Sequence, residues 1–224
     1  MQTPAACRAA CKHGDVSDER PSRPRRPALF GPAAMDSLDG ASDPARLAEA
    51  AHATAAAIVD AGRSSDDPEV TARLVRLVDD HGLDTIADLW SGRPARSLPG
   101  ALWRLYVVRE WVRRDPVGAS VDYRAGQQVA QVPHVVAGVA QPRGPDEVRA
   151  LADAVLTGVY SGELDVALER AGAFCRVVSA GRALRADDAA ASTASALTRR
   201  AASLQQTAED LEAAARAWRA RDLT

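Results

Sequence analysis

The chain is poor in the residue types that usually announce a chemistry. Its three cysteines are Cys7, Cys11 and Cys175; an odd and scattered set excludes a disulfide framework and suits a reducing compartment. Lys12 is the only lysine. The basic charge is therefore almost all arginine, and with a formal net charge of -2 no long-range field draws in phosphate backbones or anionic lipid. Aromatic residues make up 4%, so Ala, Val and Leu must fill the core, a filling that suits closely packed helices better than sheets. No apolar run approaches the roughly 18 to 20 residues of a membrane span. The segment RRPALFGPAA from Arg25 is a poor twin-arginine export signal, because Gly31 and Pro32 break its short apolar part and acidic residues follow. These features predict a cytoplasmic protein that does not enter the membrane.

Motifs are equally scarce. There is no G-x-S-x-G elbow, no phosphate-binding G-x-x-x-x-G-K-[ST] loop and no dinucleotide-binding G-x-G-x-x-G after a strand. The histidines His13, His52, His81 and His134 never fall at the i, i+4 spacing that sets two metal ligands on one helix face. Cys7, Cys11 and His13 resemble half a zinc site without its second half. The pattern thus predicts no catalytic residue, no metal and no cofactor. In VDDHG, Asp79, Asp80 and His81 are neighbours on a helix and fan apart, so they read as a solvated helix end. RLVRLVDDHGLDTIADLW has the order of a helix-turn-helix, but its second helix offers Asp84 and Asp88 where a reader of bases presents amide or basic groups.

What is present is helical grammar. Residues 1–42 carry Pro4, Pro21, Pro24, Pro27 and Pro32 among clustered arginines with no apolar period, and are expected to be a disordered leader, with translation from Met35 as an alternative start. Asp43 before Pro44 and Asp67 before Pro68 are N-cap and first-turn pairs; helices are expected to end at Gly62, Gly82 and Gly162. ALWRLYVVREWVRR is apolar in nearly every direction around its first turns, the mark of a buried helix; Arg109, Glu110, Arg113 and Arg114 are expected where it emerges into solvent. From Asp115 to Pro145 the pattern is weakest: the Val-rich VAQVPHVVAGVA reads as a short strand pair or, since Pro133 and Gly138 interrupt it, equally as a packed loop or short helices. Helices resume after Pro145 and again from Glu163 to Ala180, making a hairpin around Gly162.

The tail is the most regular feature. Leu197, Leu204, Leu211 and Trp218 recur seven apart, with Ala194, Ala201, Ala208 and Ala215 at the alternate seam positions. That is the repeat of a left-handed helix pair in which alanine lets two backbones approach closely. The expected fold is all-α: a bundle of about six to eight helices with a long Ala-rich C-terminal helix. The expected division is a leader at 1–42, a helical domain at 43–181 and the seam helix at 182–224.

The function these observations favour is non-enzymatic. A helical protein would act through protein contacts, as a scaffold, a regulator or a homodimer, using the heptad seam and, in the loop SGRPARSLPG, Arg93 and Arg96 as an anion or partner site. A second reading is a nucleic-acid-associated protein using the arginine leader with Arg93, Arg96, Arg113 and Arg114. A third is a small-ligand binder or enzyme with a pocket near Trp103, Tyr106, Tyr123 and His134.

Overall fold

Proline and aspartate set the helix starts as the sequence leads one to expect. In the computed structural model, which describes residues 43–130, 142 and 144–223, Asp43 accepts the Ala45 N–H at 3.0 Å and opens α1 (Pro44–Arg63). Asp67 accepts the Glu69 N–H at 2.9 Å and opens α2 (Pro68–Val75). The chain then breaks at Arg76 into α3 (Leu77–His81), turns at Gly82 with φ +82°, and continues as α4 (Leu83–Trp90). After a loop come α5 (Leu98–Arg114), capped by Ser97, and α6 (Pro116–Gln127), capped by Asp115. The last three are α7 (Pro145–Tyr160), α8 (Leu164–Asp187) and α9 (Ala191–Arg219). These nine helices and no strand make up the regular structure among the described residues, so the fold is all-α. The expected leader and residues 131–140 of the Val-rich stretch, His134 included, lie outside the described residues.

The described residues belong to one compact unit, and its centre is a hairpin of the two longest helices among them. Gly172 meets Ala208, Ser179 donates to the Ala201 carbonyl at 2.8 Å, Arg176 pairs with Glu212 and Arg219 with Asp165. From Asp165–Arg219 through Gly172–Ala208 to Ser179–Ala201 the α8 number rises while the α9 number falls, so α8 and α9 run antiparallel over this length. The close-packed partner that the alternating alanines require is α8 of the same chain. The boundary expected at 181/182 lies inside α8, because Gly181 does not end a helix. A Cβ there would stand 1.8 Å from the Asp122 carbonyl oxygen, and one on Gly126 would stand 1.7 Å from that of Val177. Two glycines therefore let α6 and α8 touch backbone to backbone. Gly62 likewise sits inside α1 rather than ending it, pressed on Tyr160, whose Cβ would lie 2.7 Å from an added one.

Helix α5 threads the core between α1, α7 and α8. Leu102, Leu105, Tyr106 and Val112 are buried, and Tyr106 donates to the Leu74 carbonyl at 2.6 Å while pairing with the buried Tyr160 hydroxyl. Burial pushes the Tyr106 phenol up to about 12, which keeps the pair neutral. Arg109 does not emerge into solvent: it is 3% exposed and binds Asp153 at 2.6 Å and Asp79 at 3.2 Å. Burial opposes its charge, and the two carboxylates outweigh that and raise its pKa. A buried cation is tolerated only with such partners. Asp79, expected as a solvated end, is thereby the tie between α3 and α5, with Arg113 also on it.

Candidate functional site

Helix α5 is not buried all round. Trp103, Val107 and Trp111, one turn apart at i, i+4 and i+8, are only partly buried. They face a second stripe on α9, where Arg200, Ser203, Leu204 and Thr207 follow the i, i+3, i+4, i+7 spacing of one helix face. Between the stripes runs an open groove of about 630 Å³, with Arg182 of α8 also in its lining, Ser91 and Asp115 completing its margin, and Arg104 beside Trp103. A separate cavity of about 410 Å³ lies near the C-terminus, between His52, Val59, Leu98, Trp218 and Leu223.

The groove is held rigid by two buried carboxylates. Asp122 of α6, 2% exposed, takes Arg182 at 2.7 Å and also binds Arg185. So anchored, Arg182 places its guanidinium carbon 5.0 Å from the Trp111 ring centre, a cation–π distance. Phe174 lies 6.5 Å from the same ring, so Trp111 is held by a cation and by Phe174. Asp210 of α9, 6% exposed, gathers Arg104 at 3.5 Å, Arg96 at 3.6 Å and Gln206 at 3.2 Å. It thereby locks the loop after α4 and the start of α5 onto α9. Arg200 is exposed and has no hydrogen-bond or ion-pair partner among the described residues.

The residues singled out from the sequence are distributed as follows. Of the seam, Ala201, Ala208, Leu211 and Ala215 are buried in the chain's own core, Ala194, Leu197 and Trp218 are half-buried, and Leu204 is half-buried and turned into the groove. Of the arginine loop, Arg96 is spent on Asp210 and the Arg93 Nε is buried with no hydrogen-bond partner among the described residues. Arg113 and Arg114 are paired with Asp79 and Glu110, so these cations do not form a free basic face. Trp103, Tyr106 and Tyr123 do not converge: Trp103 lines the groove, while Tyr106 packs toward Trp90 and Tyr123 stacks on Phe174 at 5.5 Å. Cys175 is fully buried, and desolvation pushes its thiol up to about 12, leaving it an inert apolar filler. No group of three or more potential metal ligands occurs among the described residues. No helix among them is long and apolar enough to cross a membrane.

The groove itself is hidden in the sequence because its halves are about a hundred residues apart, the α5 half reading as a buried helix and the α9 half as a seam for a partner helix. The signal that marked it was Leu204, the seam leucine with arginine and small polar residues at its helical neighbours. No family model matches the chain, and neither a curated protein nor a solved structure matches it. The functional reading therefore stands on this geometry.

Proposed function

We propose that the protein is a non-enzymatic binding protein that acts through contact with a protein partner, seated in the α5–α9 groove. One observation carries this reading: two facing helical stripes, Trp103/Val107/Trp111 and Leu204 with its neighbours, leave apolar side chains partly uncovered beside salt bridges to buried carboxylates that fix their positions. Preorganised aromatic anchors beside arginine are the composition of energetic centres at protein interfaces. Among the described residues the groove brings together no nucleophile, base and orienting group for catalysis. It is also a trough rather than a closed pocket, whereas a small ligand is ordinarily buried over most of its surface.

The seam's role in this reading is divided. Leu211 and the alanines hold α9 to α8, and Leu204 with Arg200 presents the contact surface. The test is selection from a display library of helical peptides against the native protein, with counter-selection on Val107→Glu and Leu204→Glu variants shown by circular dichroism to keep their helix content and unfolding midpoint. Peptides that bind the native protein and neither variant are the expected result. Binders unaffected by both substitutions place the contact elsewhere, and the absence of any binder removes the support for the groove.

A further inference from the structure

The groove has a definite polarity. Its lining carries Arg104, Arg182 and Arg200 against one carboxylate, Asp115. Asp122 and Asp210, which neutralise part of this charge, sit behind the lining at 2% and 6% exposure and each also holds a further arginine, Arg185 and Arg96. The local balance is positive in a chain whose formal charge is -2, and Arg200 is left without a counter-ion among the described residues.

The shape narrows the partner further. Trp103, Val107 and Trp111 span eight residues of helix, about 12 Å at 1.5 Å per residue. Three apolar side chains on successive turns of a third helix match that length, the i, i+4, i+7 pattern of helix-in-groove recognition. A nucleic-acid strand would need open aromatic faces on which to stack bases. The Trp111 ring already holds the Arg182 guanidinium at 5.0 Å, and Arg182 is itself committed to Asp122.

From this, and resting on the protein-contact reading of the groove, we infer that the partner's contact segment is an acidic amphipathic helix: apolar on the face that enters between α5 and α9, with carboxylates on its flank toward Arg200. Arg200 selects the partner, and Arg182 and Arg104 hold the walls. Rim charges act mainly on encounter and discrimination, so the charge adds specificity to an affinity that the apolar contact supplies.

The experiment takes the helical peptides recovered by display and remakes each with its flanking carboxylates changed to Gln, and again to Lys, measuring affinity by fluorescence anisotropy at low and high salt. The inference requires recovered sequences rich in flanking Glu and Asp, a loss of about tenfold for the Gln versions, and affinity that falls as salt rises. Arg200→Glu, an exposed change that does not threaten the fold, should reverse the order so that the Lys version binds best. Recovered helices that bind equally well with Glu, Gln or Lys overturn the acidic partner and leave the groove standing. A failure to recover any groove-dependent helix overturns both. A poly-dT oligonucleotide is titrated in parallel; tight binding of it that Leu204→Glu abolishes, with no binding of the peptides, overturns the protein partner in favour of a nucleic acid.

Discussion

Replacing Gly181 by Ala tests the packing that supports the groove, because two physical effects predict opposite signs. Gly181 lies inside α8, where Ala is preferred over Gly by about 1 kcal/mol; on helix propensity alone the variant is stabilised. The structure predicts otherwise. The new Cβ would stand 1.8 Å from the Asp122 carbonyl oxygen and 2.5 Å from the Gly126 nitrogen, both backbone atoms, against an ordinary contact beginning at 3.4 Å. Neither atom can swing aside as a side-chain tip does, so α6 and α8 must part by more than an ångström. Overpacking of this kind costs about 1–3 kcal/mol, sometimes more, and here the displaced residue is Asp122, whose buried salt bridge to Arg182 is 2.7 Å long. The net expectation is a loss of about 2 kcal/mol, or a fall in Tm of about 4–8 °C for a chain of this size. Gly158→Ala is the control, since its Cβ meets only the Ala167 Cβ, at 3.5 Å; that variant should be neutral or slightly more stable. Thermal and urea unfolding followed at 222 nm by circular dichroism measure both. If Gly181→Ala is as stable as Gly158→Ala, α6 and α8 do not touch backbone to backbone.

Other buried or paired groups offer three more tests. Asp122→Asn leaves Arg182 buried without a charged partner and should cost about 3–5 kcal/mol in urea unfolding, while releasing Arg182 from the Trp111 ring and so changing tryptophan emission in the folded state. Asp165 and Glu169 both have lowered pKa values: for Asp165, burial opposes ionisation and the Arg219 hydrogen bond outweighs it, and for Glu169 the Arg219 hydrogen bond leads. A carboxylate whose folded pKa lies below its unfolded one stabilises the fold above the unfolded value, and that stability is lost as pH falls through the folded value. Arg219→Gln should therefore lower the stability at neutral pH by about 1 kcal/mol or less, as suits partly exposed pairs, and its curve should converge on that of the native protein below about pH 4; a constant offset down to low pH contradicts the assignment. Cys175, with its thiol pushed up to about 12, should resist iodoacetamide at about pH 8 in the folded protein and react on unfolding, as read from its tryptic peptide by mass spectrometry.

The parts of this structure legible in the sequence are those fixed by local chemistry. Asp43–Pro44, Asp67–Pro68, Gly82 and Gly162 act where a reading of caps and positive φ puts them, because each depends only on a few neighbours. Helix α6 escaped notice since its buried face, Ala119, Ser120, Asp122, Tyr123 and Gly126, is small or polar and carries no hydrophobic period. Gly62 reads as a helix stop, Gly181 only follows the expected end at Ala180 and Gly126 carries no local signal; all three serve as contact points, a use decided by whichever helix lies opposite. The buried charges were missed for the same reason. Arg109 meets Asp79 and Asp153, and Asp122 meets Arg182, across thirty to sixty residues of chain, and nothing in the local pattern names a partner so distant. The groove inherits this limit: Leu204 was legible as a seam position and Trp103 as a core aromatic, but their juxtaposition belongs to the fold.

The central claim, that binding occurs between α5 and α9, can be tested on four side chains at once. The protein has four tryptophans, and their indole N–H resonances give one reporter in the buried core (Trp90), two in the groove (Trp103 and Trp111) and one near the C-terminus (Trp218). In a 1H–15N titration with an acidic helical peptide recovered by display, the Trp103 and Trp111 signals should move together and saturate, while those of Trp90 and Trp218 stay in place. Movement of Trp218 with Trp103 and Trp111 unchanged would put the binding surface at the other cavity and contradict the account.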